Sequence, residues 1–219
     1  EIRLSLVGSE MCIRDSANAG MKMEYILFDD CYMSSIEVAY ELKDVTKYLI
    51  GSTSEMMAYG MPYATVGEFL LGNPDYGSLC EGFHDFYSTY EMMPCGTLAV
   101  TDCSELDNMA AIMKSINDRY VFDDSLQGEL QGLDGYTPVI FYDFADYVLT
   151  LCSDPVLTAR FREQLERLVP YKTHTGKFYS RTKGPLPIHT FSGITISDPS
   201  TNPMALLKGT TSWYKATHE

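Results

Sequence analysis

A strand, helix and strand succession in residues 24–52 constrains the fold of this chain more than any other feature. Residues 24–29 form a short apolar and aromatic run that is typical of a buried strand. Ser34 with Glu37 three residues later predicts a capping box, and apolar residues then recur at the helical period. Residues 47–52 return to strand character. This succession predicts two parallel strands whose ligands gather beyond their carboxyl ends.

The rest of the chain alternates between further helical and strand-like segments. Apolar periodicity predicts helices at residues 65–71, 75–92 and 143–151, and strands at 97–101 and 193–197. Asp102 or Ser104 should cap a further helix that runs through residue 116, and Asp154 should cap one that begins at Pro155 and ends near residue 168. Residues 171–180 alternate weakly, as in an edge strand or a hairpin. Pro203 should begin a closing helix that packs Trp213 inward. This order predicts an α/β fold with a mostly parallel sheet, and residues 75–170 as a smaller, mostly helical subdomain.

Charge and composition exclude several classes of partner. The formal charge of −14 argues against a nucleic-acid partner and favours basic peptides. The longest apolar runs have the length of strands, far short of the roughly 20 residues of a membrane helix, so no span is expected. The six cysteines lack the spacings typical of zinc sites, so no metal site is predicted.

The first residues differ in character from the remainder. Residues 1–16 have neither the apolar core of a signal peptide nor a helical or strand period. Within them, residues 5–16 resemble translated read-through of a sequencing adapter. We therefore expect residues 1–16 to be non-native sequence, in which Cys12 has no role.

Cys31 lies where a fold can activate a nucleophile. It follows the first predicted strand and precedes Ser34, so a helix N-terminus would favour its thiolate and the strand end would open it to a crevice. The anionic neighbours Asp29 and Asp30 oppose thiolate formation. From the residues alone, a catalytic cysteine and a buried core cysteine both stay open.

Two runs around Cys31 resemble the clostripain family of cysteine peptidases. Residues 28–42 are similar to the family's Asp-x-Cys-x-Met nucleophile signature and its following helix. Residues 48–63 are similar to the next strand and its Ser-x-x-Glu and Gly-x-Pro-Tyr loop. The resemblance implies a caspase-like α/β/α sandwich, truncated at the N-terminus, with residues 17–219 as the C-terminal portion of the peptidase domain.

The resemblance also implies an activity and a set of site residues. Cys31 would attack the scissile carbonyl and form an acyl-enzyme that water hydrolyses. Asp29 would lie at the floor of the pocket for the side chain before the cleaved bond and select Arg or Lys. The wall of this pocket would be formed by Ser52, Ser54, Glu55 and Tyr59. The expected partner is a peptide or protein substrate with a basic residue before the cleaved bond.

One departure from the family pattern concerns the catalytic base. The family supplies it from a His-Gly upstream of the cysteine, whereas every histidine here follows Cys31, namely His84, His174, His189 and His218. We therefore expect the chain as given to be inactive. One alternative is a catalytically dead surface domain that binds peptide or glycan, and another is a ligand-binding domain with Cys31 buried.

Two further properties are implied by the resemblance only. Some relatives require calcium, although the acidic residues here have no EF-hand spacing, and no other cofactor is expected. Relatives are commonly exported, which favours a periplasmic, lipoprotein or secreted location.

Overall fold

The computed structural model describes residues 20, 22–201 and 205–219. The predictions for residues 1–16 and for Pro203 lie outside the described residues. The described strands are β1 Met23–Leu27, β2 Thr46–Gly51, β3 Thr97–Asp102, β4 Phe141–Asp143, β5 Tyr171–His174, β6 Lys177–Ser180, β7 Gly184–Pro187 and β8 Thr195–Ser197. The described α-helices are α1 Ile36–Leu42, α2 Tyr63–Val66, α3 Tyr76–Ser88, α4 Leu106–Asn117, α5 Phe144–Leu151, α6 Pro155–Leu168 and α7 Ser212–His218.

The main sheet contains four strands in the order β1, β2, β3, β5. β1 pairs in parallel with β2, as the strand, helix and strand succession predicts, whereas β2 with β3 and β3 with β5 are antiparallel. The prediction of a mostly parallel sheet is therefore corrected to a mixed sheet. The reason is that the connection after β2 does not cross back to the other end of the sheet. β3 therefore begins at the end of the sheet where β2 finishes and runs in the opposite direction, with Gly51 opposite Ala99.

Two apolar clusters cover the two faces of this sheet. Leu49 and Ala99 face one cluster, to which α1, α4, α5, α6 and α7 contribute. Ile50 and Leu98 face the other cluster, to which α2 and α3 contribute. This alternation follows from the pleat of a strand, in which neighbouring side chains point to opposite faces. The result is the predicted α/β/α arrangement. The limits of a subdomain at residues 75–170 stay a prediction.

The helix after β1 begins one residue later than the capping box predicts. Ser35 is the cap of α1, and its side chain accepts from the Val38 N–H. Ser34 instead donates its hydroxyl to the Gly193 carbonyl at 2.7 Å, and Glu37 accepts the Ser197 N–H at 2.9 Å. Tertiary partners thus replace the local ones. Among the described helices, none combines the length and apolarity needed to cross a membrane.

Candidate active site

The backbone turns sharply between β1 and α1, and Cys31 lies in this turn. Its side chain is partly buried and partly open to solvent. The next residue, Tyr32, has a φ of 61°, a left-handed conformation that is uncommon for a residue other than glycine. The Tyr32 N–H donates to the Ser54 carbonyl at 3.1 Å, which holds the turn in this conformation. Such strained positions cluster at functional sites.

The loop after β2 runs beside the Cys31 turn and contacts the sulfur. The Ser34 N–H donates to the Ser52 carbonyl at 2.9 Å, which aligns the two segments. The Met56 N–H then donates to Cys31 Sγ at 3.2 Å. When protonated, the Cys31 thiol can donate to the Met56 carbonyl, which lies 3.9 Å from Sγ. A backbone amide is therefore placed to stabilise the thiolate when it forms.

Burial and negative charge oppose ionisation of this thiol. Burial is the largest effect and raises the pKa of Cys31, whereas the hydrogen bond from the Met56 N–H lowers this pKa. The carboxylates of Asp30 and Glu55 raise the pKa further. Asp30 also accepts the Cys31 N–H at 2.8 Å. The thiol therefore needs a partner that removes its proton before it can act as a nucleophile.

Replacing Glu55 with Gln will make the Cys31 thiol more reactive at neutral pH. The substitution removes an anionic neighbour, so the pKa of Cys31 falls and the thiolate fraction rises. We expect the rate of alkylation by iodoacetamide at pH 7 to rise roughly two- to five-fold. Glu41→Gln is the control, because Glu41 also accepts a distant backbone N–H, that of Ser212, but lies at the end of α1. An equal increase in both variants would contradict a local effect.

Asp29 lies at the surface under the loop that follows Tyr59. Its carboxylate is exposed, and its Oδ1 accepts the Met61 N–H at 2.8 Å. Gly60 has a φ of +72°, and a Cβ there would come within 2.7 Å of Oδ1. Only glycine therefore lets the loop pass this close to the carboxylate. The charge of Asp29 also contributes, after burial, to a raised pKa of Tyr63.

The residues predicted to line the pocket wall occupy two different environments. Ser52 and Ser54 are fully buried, and both hydroxyls lie within hydrogen-bond distance of Thr97 Oγ1. Glu55 is partly exposed and its Oε1 accepts the Arg181 N–H at 2.8 Å, from the turn between β6 and β7. Tyr59 is 51% exposed. The roles of these residues toward a substrate stay predictions.

Three residues that contribute to the site were not predicted from the sequence. Met56 acts through its backbone N–H, and a backbone role leaves no signal in residue type. Thr97 belongs to β3 and Arg181 to a hairpin turn, both far from Cys31 along the chain. No motif in the sequence connects β3 or the turn between β6 and β7 with the loop that contacts Cys31. Only the pairing of β2 with β3 brings Thr97 to the loop.

All four histidines lie within the described residues, and three of them have side-chain partners other than Cys31. His84 lies near Ser88 and Asp85. His174 Nδ1 is 2.6 Å from the Thr175 carbonyl, and His218 stacks on Tyr214. The His189 side chain is exposed. Among described contacts, no histidine is hydrogen bonded to Cys31, whose sulfur contacts Met56.

Comparisons with known proteins give a consistent family. The model of the clostripain family matches residues 10–160. No curated protein matches the chain. A clostripain from Bacteroides thetaiotaomicron, solved in complex with the peptide inhibitor BTN-VLTK-AOMK, is 66% identical with a TM-score of 0.91. The alignment covers 94% of this chain and 92% of that one.

Two further solved structures are similar. The secreted C11 cysteine protease iotapain from Bacteroides thetaiotaomicron is 66% identical with a TM-score of 0.91. That alignment covers 94% of this chain and 59% of iotapain. An inactive zymogen C11 protease from Parabacteroides distasonis is 31% identical with a TM-score of 0.82, and the alignment covers 94% of this chain and 62% of the zymogen. With the family model matching more than half of its length, the chain belongs to the clostripain family of cysteine proteases.

Proposed function

We propose that Cys31 is the nucleophile of an endopeptidase that cleaves peptide bonds after Lys or Arg. The observation that carries this proposal is the placement of the sulfur. Cys31 is a partly exposed residue just beyond the carboxyl end of β1, and a backbone N–H donates to its Sγ at 3.2 Å. The exposed carboxylate of Asp29 lies two residues earlier in the same turn.

The chemistry follows from these groups. A base takes the proton of Cys31, and the sulfur attacks the scissile carbonyl carbon to form a tetrahedral intermediate. The carbon–nitrogen bond then breaks, the amine leaves with the proton from the base, and a thioester links the substrate to Cys31. Water attacks this thioester, which releases the carboxylic acid and returns the thiol. The Met56 N–H favours the thiolate at the start of each cycle.

Asp29 is proposed to select the side chain before the cleaved bond. A carboxylate binds a Lys ammonium or an Arg guanidinium through a charge-assisted hydrogen bond. The Met61 N–H that donates to Oδ1 at 2.8 Å fixes the orientation of this carboxylate. Support comes from the clostripain from Bacteroides thetaiotaomicron, whose inhibitor carries the peptide letters VLTK, which end in lysine.

We also propose that these 219 residues alone do not turn over substrate. Burial, Asp30 and Glu55 raise the pKa of Cys31, and the side chains of His84, His174 and His218 have other partners. Among the described hydrogen bonds of the sulfur, both are to the Met56 backbone and none is to a histidine. The chain alone should hydrolyse a lysine ester no faster than its Cys31→Ala variant. A form extended by the upstream reading frame should hydrolyse the ester in a Cys31-dependent way.

The assay separates three outcomes. Equal and negligible rates for the chain and its Cys31→Ala variant, with turnover by the extended form, support both proposals. Turnover by the chain that Cys31→Ala abolishes would contradict the proposed inactivity and support the nucleophile. Turnover that survives Cys31→Ala in the extended form would contradict the nucleophile.

The location of the protein is also a proposal. We propose that the protein is exported, as a secreted relative supports, and cell fractionation with antibodies tests this location. A requirement for calcium has less support. Within the described residues, no group of three His, Cys, Asp or Glu side chains is arranged to hold a metal ion, so no step is assigned to calcium.

A further inference from the structure

Four hydroxyl groups cluster behind the loop that contacts Cys31. Thr97 Oγ1, at the start of β3, lies 2.7 Å from Ser52 Oγ and 3.0 Å from Ser54 Oγ. Thr53 donates to the same oxygen from its N–H at 3.1 Å and from its hydroxyl at 3.0 Å. All four side chains are fully buried. A hydroxyl has one donor and two acceptor sites, so at most three of these four contacts are hydrogen bonds at any one time, and Thr97 Oγ1 is fully satisfied.

The opposite side of this loop is bonded to the segment that carries the nucleophile. The carbonyls of Ser52 and Ser54 accept the N–H groups of Ser34 and Tyr32 at 2.9 and 3.1 Å. The loop is thus held between Thr97 on one side and the Cys31 turn on the other. Two residues further on, the Met56 N–H reaches the sulfur.

We propose that Thr97 is a positioning residue for the nucleophile. Its hydroxyl fixes residues 52–54, and through them it holds the Met56 N–H against Cys31 Sγ. An N–H that donates to sulfur stabilises the thiolate more than the thiol, so a looser loop makes the thiolate harder to form. Asp30 and Glu55, the charged groups that act on the sulfur, then oppose the thiolate without this compensation. The inference rests on the proposed role of Cys31.

The substitution Thr97→Val tests the proposal, because it removes the hydroxyl and keeps the shape of the side chain. The probe is iodoacetamide on the full chain, and peptide mass spectrometry measures alkylation of Cys31 separately from the other cysteines as the pH is varied. We expect the rate at pH 7 to fall roughly ten-fold and the midpoint of the profile to move to higher pH. Thr97→Ser keeps the hydroxyl and should stay within about two-fold of the parent.

A neighbouring threonine supplies a matched control. Thr101 lies in the same strand and is equally buried, but its hydroxyl has no hydrogen-bond partner among the described residues. Thr101→Val should therefore leave the alkylation profile of Cys31 unchanged. The proposal is overturned if folded Thr97→Val keeps the parent profile, or if Thr101→Val moves the profile as far as Thr97→Val does.

Thermal unfolding of each variant shows whether it is folded. If Thr97→Val is unfolded, Ser54→Ala replaces it, because the described bond of the Ser54 hydroxyl is to Thr97. A smaller shift in the same direction supports the proposal, and an unchanged profile overturns it. The readout is thiol ionisation, so it is independent of turnover. An extended form that fails to hydrolyse a lysine ester would contradict the proposed function and leave the alkylation result standing.

Discussion

Replacing Cys31 with Ala in the upstream-extended form will lower kcat for a lysine ester or amide by on the order of 10⁴-fold or more. Without the sulfur, no thioester forms, and the Met56 N–H has no thiolate to stabilise. Cys31 is only partly buried, so the substitution removes little packing and folding should be retained. Steady-state kinetics measure the loss, and the release of the first product equivalent measures acylation.

The control makes the same chemical change at a buried thiol. Cys80 lies in the cluster under α3, and burial raises the pKa of its thiol to about 12, so it stays protonated. Cys80→Ala should cost some thermal stability through lost packing and keep kcat within about two-fold. Turnover by Cys31→Ala above about 1% of the parent value would rule out Cys31 as the nucleophile.

Replacing Asp29 with Asn should remove most of the proposed preference for Lys and Arg before the cleaved bond. Asn keeps the volume and an acceptor oxygen for the Met61 N–H, so the loop above it should hold its position. The charge that pairs with a basic side chain is lost. We expect kcat/KM for basic substrates to fall roughly 10²- to 10³-fold, and kcat/KM for a substrate with a neutral residue there to change little.

Asp30→Asn is the control for this change, because it removes one charge from the adjacent residue. Asp30 accepts the Cys31 N–H and raises the pKa of the thiol, so its loss should increase alkylation of Cys31 without altering substrate preference. A panel of matched peptide substrates with Lys, Arg, Gln or Leu before the bond measures the preference. Equal loss of preference in both variants would show a general field effect and contradict a specific role of Asp29.

Local patterns in the sequence predicted the elements whose partners are near in the chain. Apolar periodicity and capping residues placed α6 at Pro155–Leu168, with Asp154 as its cap, as the structure has it. The parallel pairing of β1 with β2 also follows, because the short helix between them returns the chain to the same end of the sheet. The antiparallel β3 was not predicted, since its direction depends on how the long connection after β2 packs.

For the candidate site, the sequence identified Cys31 and Asp29 but not the contacts that hold them. Ser52 and Ser54 were predicted to face a substrate, whereas their side chains are buried against Thr97. Serine occurs both at surfaces and in hydrogen-bonded interiors of loops, so residue type alone does not distinguish the two. The amide of Met56 leaves no signal, because every residue except proline has one.

The sequence by itself determined the strand, helix and strand unit, the family of the chain, and the place of Cys31 beyond a strand end. These depend on local hydrogen bonding, side-chain periodicity and a motif within forty residues or so. Only the tertiary structure decided what surrounds the sulfur. Its amide donor, the hydroxyl cluster at Thr97 and the Glu55 contact with Arg181 join segments distant in the chain. Such contacts arise from how strands pair and loops pack, and no short-range pattern encodes them.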